Sequence, residues 1–467
     1  EENKLNPGRK VVAVLPFAAD ESLKEEEELS VGLAQVLTRE LGKVTQISVL
    51  PTFVREAIGN KTAAETLEMG QQVGATHILR GTLHKTANAV EVFAELVNVA
   101  DGRVVWSEKF NEPIVELPRL QNSISSHVLS ALTIELSAAE KQGINKKYTE
   151  NSEAYQFYLV GRYQLSKRSQ ENLNKAIQSF TIAQEKDPNF ALAYVGLADA
   201  YALLYLYQTP PPKDAHQKAR ENAEKALALD NTLGEAYASL GLIEFYGERN
   251  IAQAENFYRK AVELNPSYEN AHHWLALALA AQGKEEALTE IKAAKQLVPN
   301  SPAIITAAGI VHFYLRQLEL AERDAQKALR IDEGTVSALG LLRWVAILQG
   351  KYDDALAYQQ KEKLFGGGEE TVTSLLNLAQ VQAARGDRDA ALGSLNKVFA
   401  DANYQKMPEY QAYEVALVYI FLDQKDKAFE FLKEAKKTYR ANFIASDPRL
   451  DKIRNDSRFQ ALVSSSG

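Results

Sequence analysis

Small and bulky apolar residues recur along the second two-thirds of the chain with the spacing of paired helices. An alanine returns at Ala176, Ala219, Ala254, Ala287, Ala321, Ala355, Ala391 and Ala428, first after 43 residues and then every 33–37. Four residues after most of them stands a bulky apolar residue, as at Phe180, Tyr258, Ile291, Leu395 and Leu432. Another small residue follows three positions on, at Ala183, Ala226, Ala261, Ala294, Ala328 and Ala435. Helix stops come next, such as Asp187-Pro188, Asn265-Pro266 and Val298-Pro299, and the glycines Gly283, Gly350 and Gly386 mark turns. A small residue repeated with a period near 34 lets two helices approach closely in each unit, so the pattern predicts eight stacked helical hairpins.

The first 140 residues follow a different rhythm. Residues 11–17 (VVAVLPF) form an apolar β-branched run suited to a buried strand. Residues 25–41 carry Leu29, Leu33, Val36, Leu37 and Leu41 near one helical stripe, and 47–50 read as a second strand ended by Pro51. Helical segments are expected at 52–58 and 63–73, alternating strands at 77–85 and 89–99, a turn at 100–103, a strand at 104–110 and a helix at 116–136. The order β-α-β-α-β-β-β-α describes a small α/β domain with a sheet of about five strands. The expected organisation is an α/β domain over 1–140, hairpins over 150–440 and a capping segment over 441–467. Pro448, Leu450, Ile453, Phe459, Leu462 and Val463 break the repeat, yet can cover the exposed face of the last hairpin.

Composition narrows what such a molecule does. Lys plus Arg number 53 against 61 Asp plus Glu, a net charge of −8, which gives no overall attraction to nucleic acid or anionic lipid. A hydrophobic share of 46% sets the chain apart from disordered ones. There is no cysteine, so disulfides and thiolate chemistry are excluded while the compartment stays open. The apolar runs at 274–281 and 415–422 are too short to cross a bilayer, and no signal-peptide core is present. The chain begins with Glu1, which suggests a processed product or a fragment from which an upstream targeting or anchoring segment has been removed.

Two resemblances follow from these residues. The eight units, with Leu240-Gly241, Leu275-Ala276, Ala308-Gly309 and Leu378-Ala379 in their first helices, resemble tetratricopeptide repeats from about residue 152 to 440. The stretches VVAVLPFAADES, EELSVGLAQVLTREL, VGATHILRGTLHK and VNVADGRVVWSEKF resemble the TolB amino-terminal-like (FlgO-like) domain. The fold class expected is therefore an N-terminal α/β domain plus an all-α right-handed superhelix, an α-solenoid. The two resemblances in this order imply the extracytoplasmic half of a membrane-anchored bacterial signalling protein. Its cytoplasmic module varies in the family: a winged helix, a Ser/Thr kinase or a nucleotide cyclase.

Motifs that carry chemistry are scarce. His272 and His273 are about 100° apart on a helix and have no partner set for a metal. Neither a GxSxG elbow nor a phosphate loop occurs, and Gly366-Gly367-Gly368 reads as an inter-repeat turn. Glu25 to Glu28 suit the positive end of the first helix; Lys433, Lys436, Lys437 and Arg440 suit the negative end of a late one. No catalytic, cofactor-binding or metal residues are expected, and no cofactor.

Binding is the activity that repeat hairpins offer. The groove formed by their first helices is expected to present Asp199, Leu242, Leu277, Gln380, Ala383 and, as the candidate protein-binding set, Tyr246, His273, Phe313, Tyr314 and Trp344. Val195 and Asp199, Ala238 and Leu242, and His273 and Leu277 cannot form the Lys/Asn carboxylate clamp of some chaperone-binding repeats. An insertion in the second repeat, Tyr205–Pro212, reads equally as a binding loop or as a dock for the α/β domain. The expected function is a non-catalytic sensor or scaffold that binds protein or peptide, extracytoplasmic, with no nucleic acid bound by this part and the membrane reached only through an upstream anchor. The alternative is a free soluble adaptor in envelope assembly, or a cytoplasmic one.

Overall fold

The computed structural model describes residues 10–19, 24–50, 62–86, 89–113, 116–144, 146–167, 169–207, 212, 214–406 and 408–464. The helix expected at 52–58 and part of the insertion, 208–211, lie outside them. Five strands make one sheet in the order β2-β1-β3-β4-β5: β1 (Lys10–Val14), β2 (Ile47–Leu50), β3 (His77–Lys85), β4 (Ala89–Asn98) and β5 (Val104–Pro113). β1 runs parallel to β2 and β3, and the β3-β4-β5 meander is antiparallel. β1 stops at Val14, short of the expected Phe17, because Pro16 has no N–H to donate to the ladder.

One face of the sheet is covered by α1 (Lys24–Gly42) and α3 (Leu117–Ala131) around Val12, Val14, Leu33, Leu37, Leu79, Val92 and Ile124. The other face holds a smaller cluster of Val11, Ala13, Leu15, Ile78 and Val99, with Met69 of α2 (Ala63–Gln72) packed on it. Thr62 and Glu65 close a capping box at the start of α2. α3 ends at Ala131 rather than near 136, just before Thr133, whose φ of 54° is incompatible with a continuing helix. The short α4 (Ala138–Ile144) follows.

The remainder is helical and consists of tetratricopeptide-type hairpins, so the fold is an α/β domain plus an all-α repeat array. The first helices are α5 (Ser152–Ser166), α7 (Ala191–Tyr207), α9 (Gly234–Leu242), α11 (Glu269–Ala281), α13 (Pro302–Tyr314), α15 (Val336–Leu348), α17 (Val372–Arg385) and α20 (Ala412–Phe421). The second helices are α6 (Gln170–Lys186), α8 (Ala215–Leu229), α10 (Ile251–Leu264), α12 (Ala287–Leu297), α14 (Leu318–Ile331), α16 (Tyr352–Phe365), α18 (Arg388–Ala400) and α21 (Lys425–Ala435). The short α19 (Ala402–Lys406) precedes the last hairpin. α9 runs on into a π-turn, Ile243–Glu248. All eight repeat alanines lie on second helices and are fully buried.

By contacts the chain packs as two compact units. Residues 1–243, with 256–271 and 296–298, form one; residues 244–255, 272–295 and 299–467 form the other. In the first unit α1 lies directly on α5. Arg39 donates to Tyr158 (2.6 Å) and Glu40 (2.8 Å), and Lys43 donates to Tyr148 (2.8 Å), so a charged cluster is buried with its partners supplied. Glu40 and Lys43 keep the Tyr148 hydroxyl in a fixed setting, where burial first and Glu40 second push its pKa up to about 12.

In the second unit the turns between the two helices of a hairpin need a residue at positive φ. Gly283, Gly350 and Gly386 supply it at 70°, 75° and 94°. Arg249, Arg316 and Asp423 hold the same conformation at 61°, 66° and 57° without being glycine. Beyond α21 come two 3-10 turns, Tyr439–Phe443 and Pro448–Ile453, and a last helix, α22 (Ser457–Ser464).

Candidate functional site

Of the residues expected along the groove, Tyr246, Phe313, Tyr314 and Trp344 come together in the second unit, at the C-terminal ends of α13 and α15 and on the π-turn, beside Phe421 of α20. Phe313 and Tyr314 end α13 and meet edge to face at 5.7 Å. Trp344 of α15 lies 6.1 Å from Phe421 of α20. Phe245 meets Tyr246 at 4.9 Å, edge on. Tyr246 and His273 are half-buried, whereas Phe313, Tyr314 and Trp344 are 4%, 8% and 6% exposed.

What buries them is the C-terminal segment. Phe443 stacks on Tyr314 at 4.7 Å and meets Phe245 edge on at 5.5 Å. Asn442 donates from Nδ2 to the Phe245 carbonyl (2.5 Å). Arg449 places its guanidinium 4.8 Å from the Trp344 ring, 5.4 Å from Tyr413 and 5.9 Å from Phe313. Its Nε and Nη2 donate to both oxygens of Asp447, and the Tyr413 hydroxyl donates to Asp447 Oδ2 (2.5 Å). Burial alone would lower the Arg449 pKa, but Asp447 and the neighbouring tyrosines hold it well above its ordinary value. Burial, with Asp447 adding to it, drives the Tyr413 hydroxyl well above 10.

A polar ladder continues from this point across the first helices α15, α17 and α20, joined by Glu362 of α16 and by Arg440 of the 3-10 turn Tyr439–Phe443. Arg343 donates from Nε to Glu362 (2.6 Å) and from Nη1 to Gln380 (2.9 Å). Gln380 in turn donates to the carboxylate of Glu414 (2.9 Å), which pairs with Arg440 at 3.2 Å. Burial would raise Glu414, yet Arg440, Arg449, Gln380 and Arg343 together hold it below the usual carboxylate value. Glu362 goes the other way, because its burial outweighs Arg343. Only Gln380 of this ladder was apparent among the expected groove positions. Arg343, Glu414 and Arg449 were not, although the separation of Gln380 from Glu414 by one repeat length was a usable signal.

The other expected residues are placed as follows. Asp199 accepts from Ser239 (2.5 Å) and pairs with Arg162 at 3.8 Å in the first unit; Leu242, Leu277 and Ala383 are buried. His272 pairs with Glu290 at 2.7 Å, and His273 lies against Trp274. Among the described residues no group of three His, Cys, Asp or Glu is placed to hold a metal. Gly366 to Gly368 form the turn after α16, with Gly367 and Gly368 at positive φ. The segment expected to cap the last hairpin divides. Arg458 lies over Phe429 and Lys436 donates to the Leu462 carbonyl, so α22 covers α21. Residues 442–453 instead follow the first helices, because the aromatic partners of Phe443 and Arg449 are there. A cavity of about 360 Å³ remains beside them, lined by Gln282, Glu285, Tyr314, Arg316, Ser446 and Arg454 among others.

Comparison with known proteins adds context. The family model described as "HilA/YgeH-like transcriptional regulator, second domain" matches residues 8–127. Putative adenylate cyclase 3 of Rhizobium meliloti is 22% identical over 283 residues, which cover 59% of this chain and 41% of that protein. Transcriptional regulator HilA of Salmonella typhimurium is 24% identical over 326 residues, covering 68% of this chain and 56% of that protein. The chain thus spans about half the length of the curated relatives it matches. Among solved structures, Pseudomonas aeruginosa PilF is 22% identical and covers 46% of this chain and 98% of its own, with a TM-score of 0.35.

Proposed function

We propose that this chain is the non-catalytic, protein- or peptide-binding sensor part of a membrane-anchored bacterial signalling or transcription-regulating protein. One observation carries the reading. A relative named as a transcriptional regulator and another named as a putative adenylate cyclase both match more than half of this chain, and each extends well beyond the match. A part shared by proteins with two different outputs is suited to receiving a signal rather than producing either output. In this reading residues 1–140 are a TolB amino-terminal-like domain, 150–440 the eight hairpins and 441–467 the closing segment. The binding surface is the groove of the second unit at Tyr246, His273, Phe313, Tyr314 and Trp344, and the whole part is extracytoplasmic.

The test uses the parent protein in its own cells. Alkaline phosphatase fused after Gly467 is expected to be active, and Tyr246→Ala with His273→Ala is expected to abolish the change in output that the signal causes while protein level is unchanged. These half-buried positions are chosen because their loss disturbs packing least. An inactive fusion, or an output indifferent to both substitutions, overturns the reading.

A further inference from the structure

The two arginines that stand where three other hairpin turns have glycine both reach the C-terminal segment. Arg316, at a φ of 66°, grips Asp451 with Nη1 (2.5 Å) and Nη2 (2.9 Å). Arg249, at 61°, donates from Nη1 to the Lys437 carbonyl (2.9 Å). A side chain at positive φ is disfavoured where glycine is not, so holding arginine there costs the turn some stability. What the two arginines gain is a hold on each end of the stretch 437–451. Between them, Phe443 and Arg449 occupy the aromatic surface of the groove as a bound peptide would, one ring and one guanidinium each against several partners. The stretch is built from 3-10 turns, whose hydrogen bonds are poorer than those of the α-helices beneath it.

We propose that residues 438–454 are an intramolecular ligand of the second unit's groove. A partner segment takes their place by presenting an aromatic side chain and, six positions later, an arginine, as Phe443 and Arg449 do. The proposal rests on the reading of this groove as the binding surface and adds both its resting occupant and the chemistry of its partner. The cavity beside Ser446 and Arg454 is where a competing segment first finds room. Turn arginines, rather than the buried Arg449, are the adjustable part of the latch. The Arg316–Asp451 ion pair and the Arg249 hydrogen bond to the Lys437 carbonyl are both exposed, and glycine in their place suits the turn.

The experiment compares the full chain with its Arg249→Gly/Arg316→Gly variant, which relaxes both turns and so keeps the hairpins folded. The probe is a fluorescein-labelled synthetic peptide of residues 440–450, which carries Phe443 and Arg449 but neither Lys437 nor Asp451, so the variant removes a hold on the resident segment and none on the probe. Binding to the variant is expected to be tighter than to the unaltered chain by about tenfold or more, since a competing occupant lowers apparent affinity in proportion to the fraction of grooves it leaves free. Amide exchange of 442–454 is expected to quicken by a similar factor while α13 to α18 keep their protection. Equal peptide binding to both proteins, or amides of 442–454 that exchange only when the whole unit opens, overturns the proposal. The outcome is separable from that of the function test. Peptide binding to the variant with a parent output indifferent to Tyr246→Ala and His273→Ala would sink the sensor reading alone. A responsive output without peptide binding would sink this proposal alone.

Discussion

Gly32 of α1 lies against the backbone of Leu159 on α5 so closely that a Cβ at Gly32 would stand 2.6 Å from the Leu159 carbonyl oxygen. No real Cβ tolerates that distance, and the obstacle is backbone, so the two helices would have to separate. The glycine thus sets the distance between the α/β domain and the first hairpin. Around it, Tyr163 donates to Glu27 (2.8 Å) and Gln164 to Glu28 (3.1 Å), which ties the acidic first turn of α1 to α5.

Gly32→Ala should therefore destabilise the first unit by about 1–3 kcal/mol, as overpacking does elsewhere. The loss should appear in chemical denaturation and as faster amide exchange in both α1 and α5. A variant with unchanged exchange in α5 would mean that the contact contributes nothing to holding the two elements together.

Ala321→Leu and Ala355→Leu should each cost roughly 1–3 kcal/mol, because both alanines are fully buried between paired helices. Thermal denaturation unaffected by either substitution would refute the register assigned to the repeat.

The sequence made these packing positions visible because small residues at a helix contact repeat, and repetition separates them from chance. The sheet was legible for a related reason, since β-branched runs bounded by turn residues have few alternatives. Three of the positive-φ turns were legible as glycine. Arg249, Arg316 and Asp423 were not, because nothing in an arginine or aspartate announces a left-handed backbone. The groove aromatics were legible, but not their burial. Phe443 meets Phe245, and Arg449 meets Trp344, across stretches of chain that no local pattern connects.

Trp344 shows the consequence. A groove residue open to solvent would lose roughly 2 kcal/mol of partner binding on truncation, with the fold intact. Here Trp344 has Arg449 on its ring at 4.8 Å and Arg343 at 5.0 Å, and is 6% exposed. Trp344→Ala should instead cost about 3–5 kcal/mol of stability by leaving a cavity. Equilibrium unfolding in urea measures this; a loss under about 1 kcal/mol would mean the ring is solvent-facing in solution.

Asp324 gives the second unit an acid limit. Its carboxylate on α14 stands 3.0 Å from His312 Nδ1 of α13 and accepts from Lys295 of α12 at 3.1 Å, with 4% of the side chain exposed. Burial pushes its pKa up, but His312 and then Lys295 outweigh that, and the group sits below its ordinary 3.8. A carboxyl with a lowered pKa in the fold holds its proton less tightly there than in the unfolded chain. Its contribution is therefore complete above 3.8 and disappears as pH falls through the lower, folded value. Stability should be flat with respect to this group near neutrality and drop in strong acid. Asp324→Ala should cost about 1–3 kcal/mol at neutral pH, since it leaves Lys295 and His312, both half-buried, without their partner. Asp324→Asn keeps the shape but not the charge, so it should flatten the acid limb of the curve. Urea midpoints measured from neutral pH down past 3.8 decide it. An acid limb of the same slope in Asp324→Asn as in the unaltered chain would assign the acid sensitivity to other carboxylates, such as Glu414 or Asp451, which are also held low.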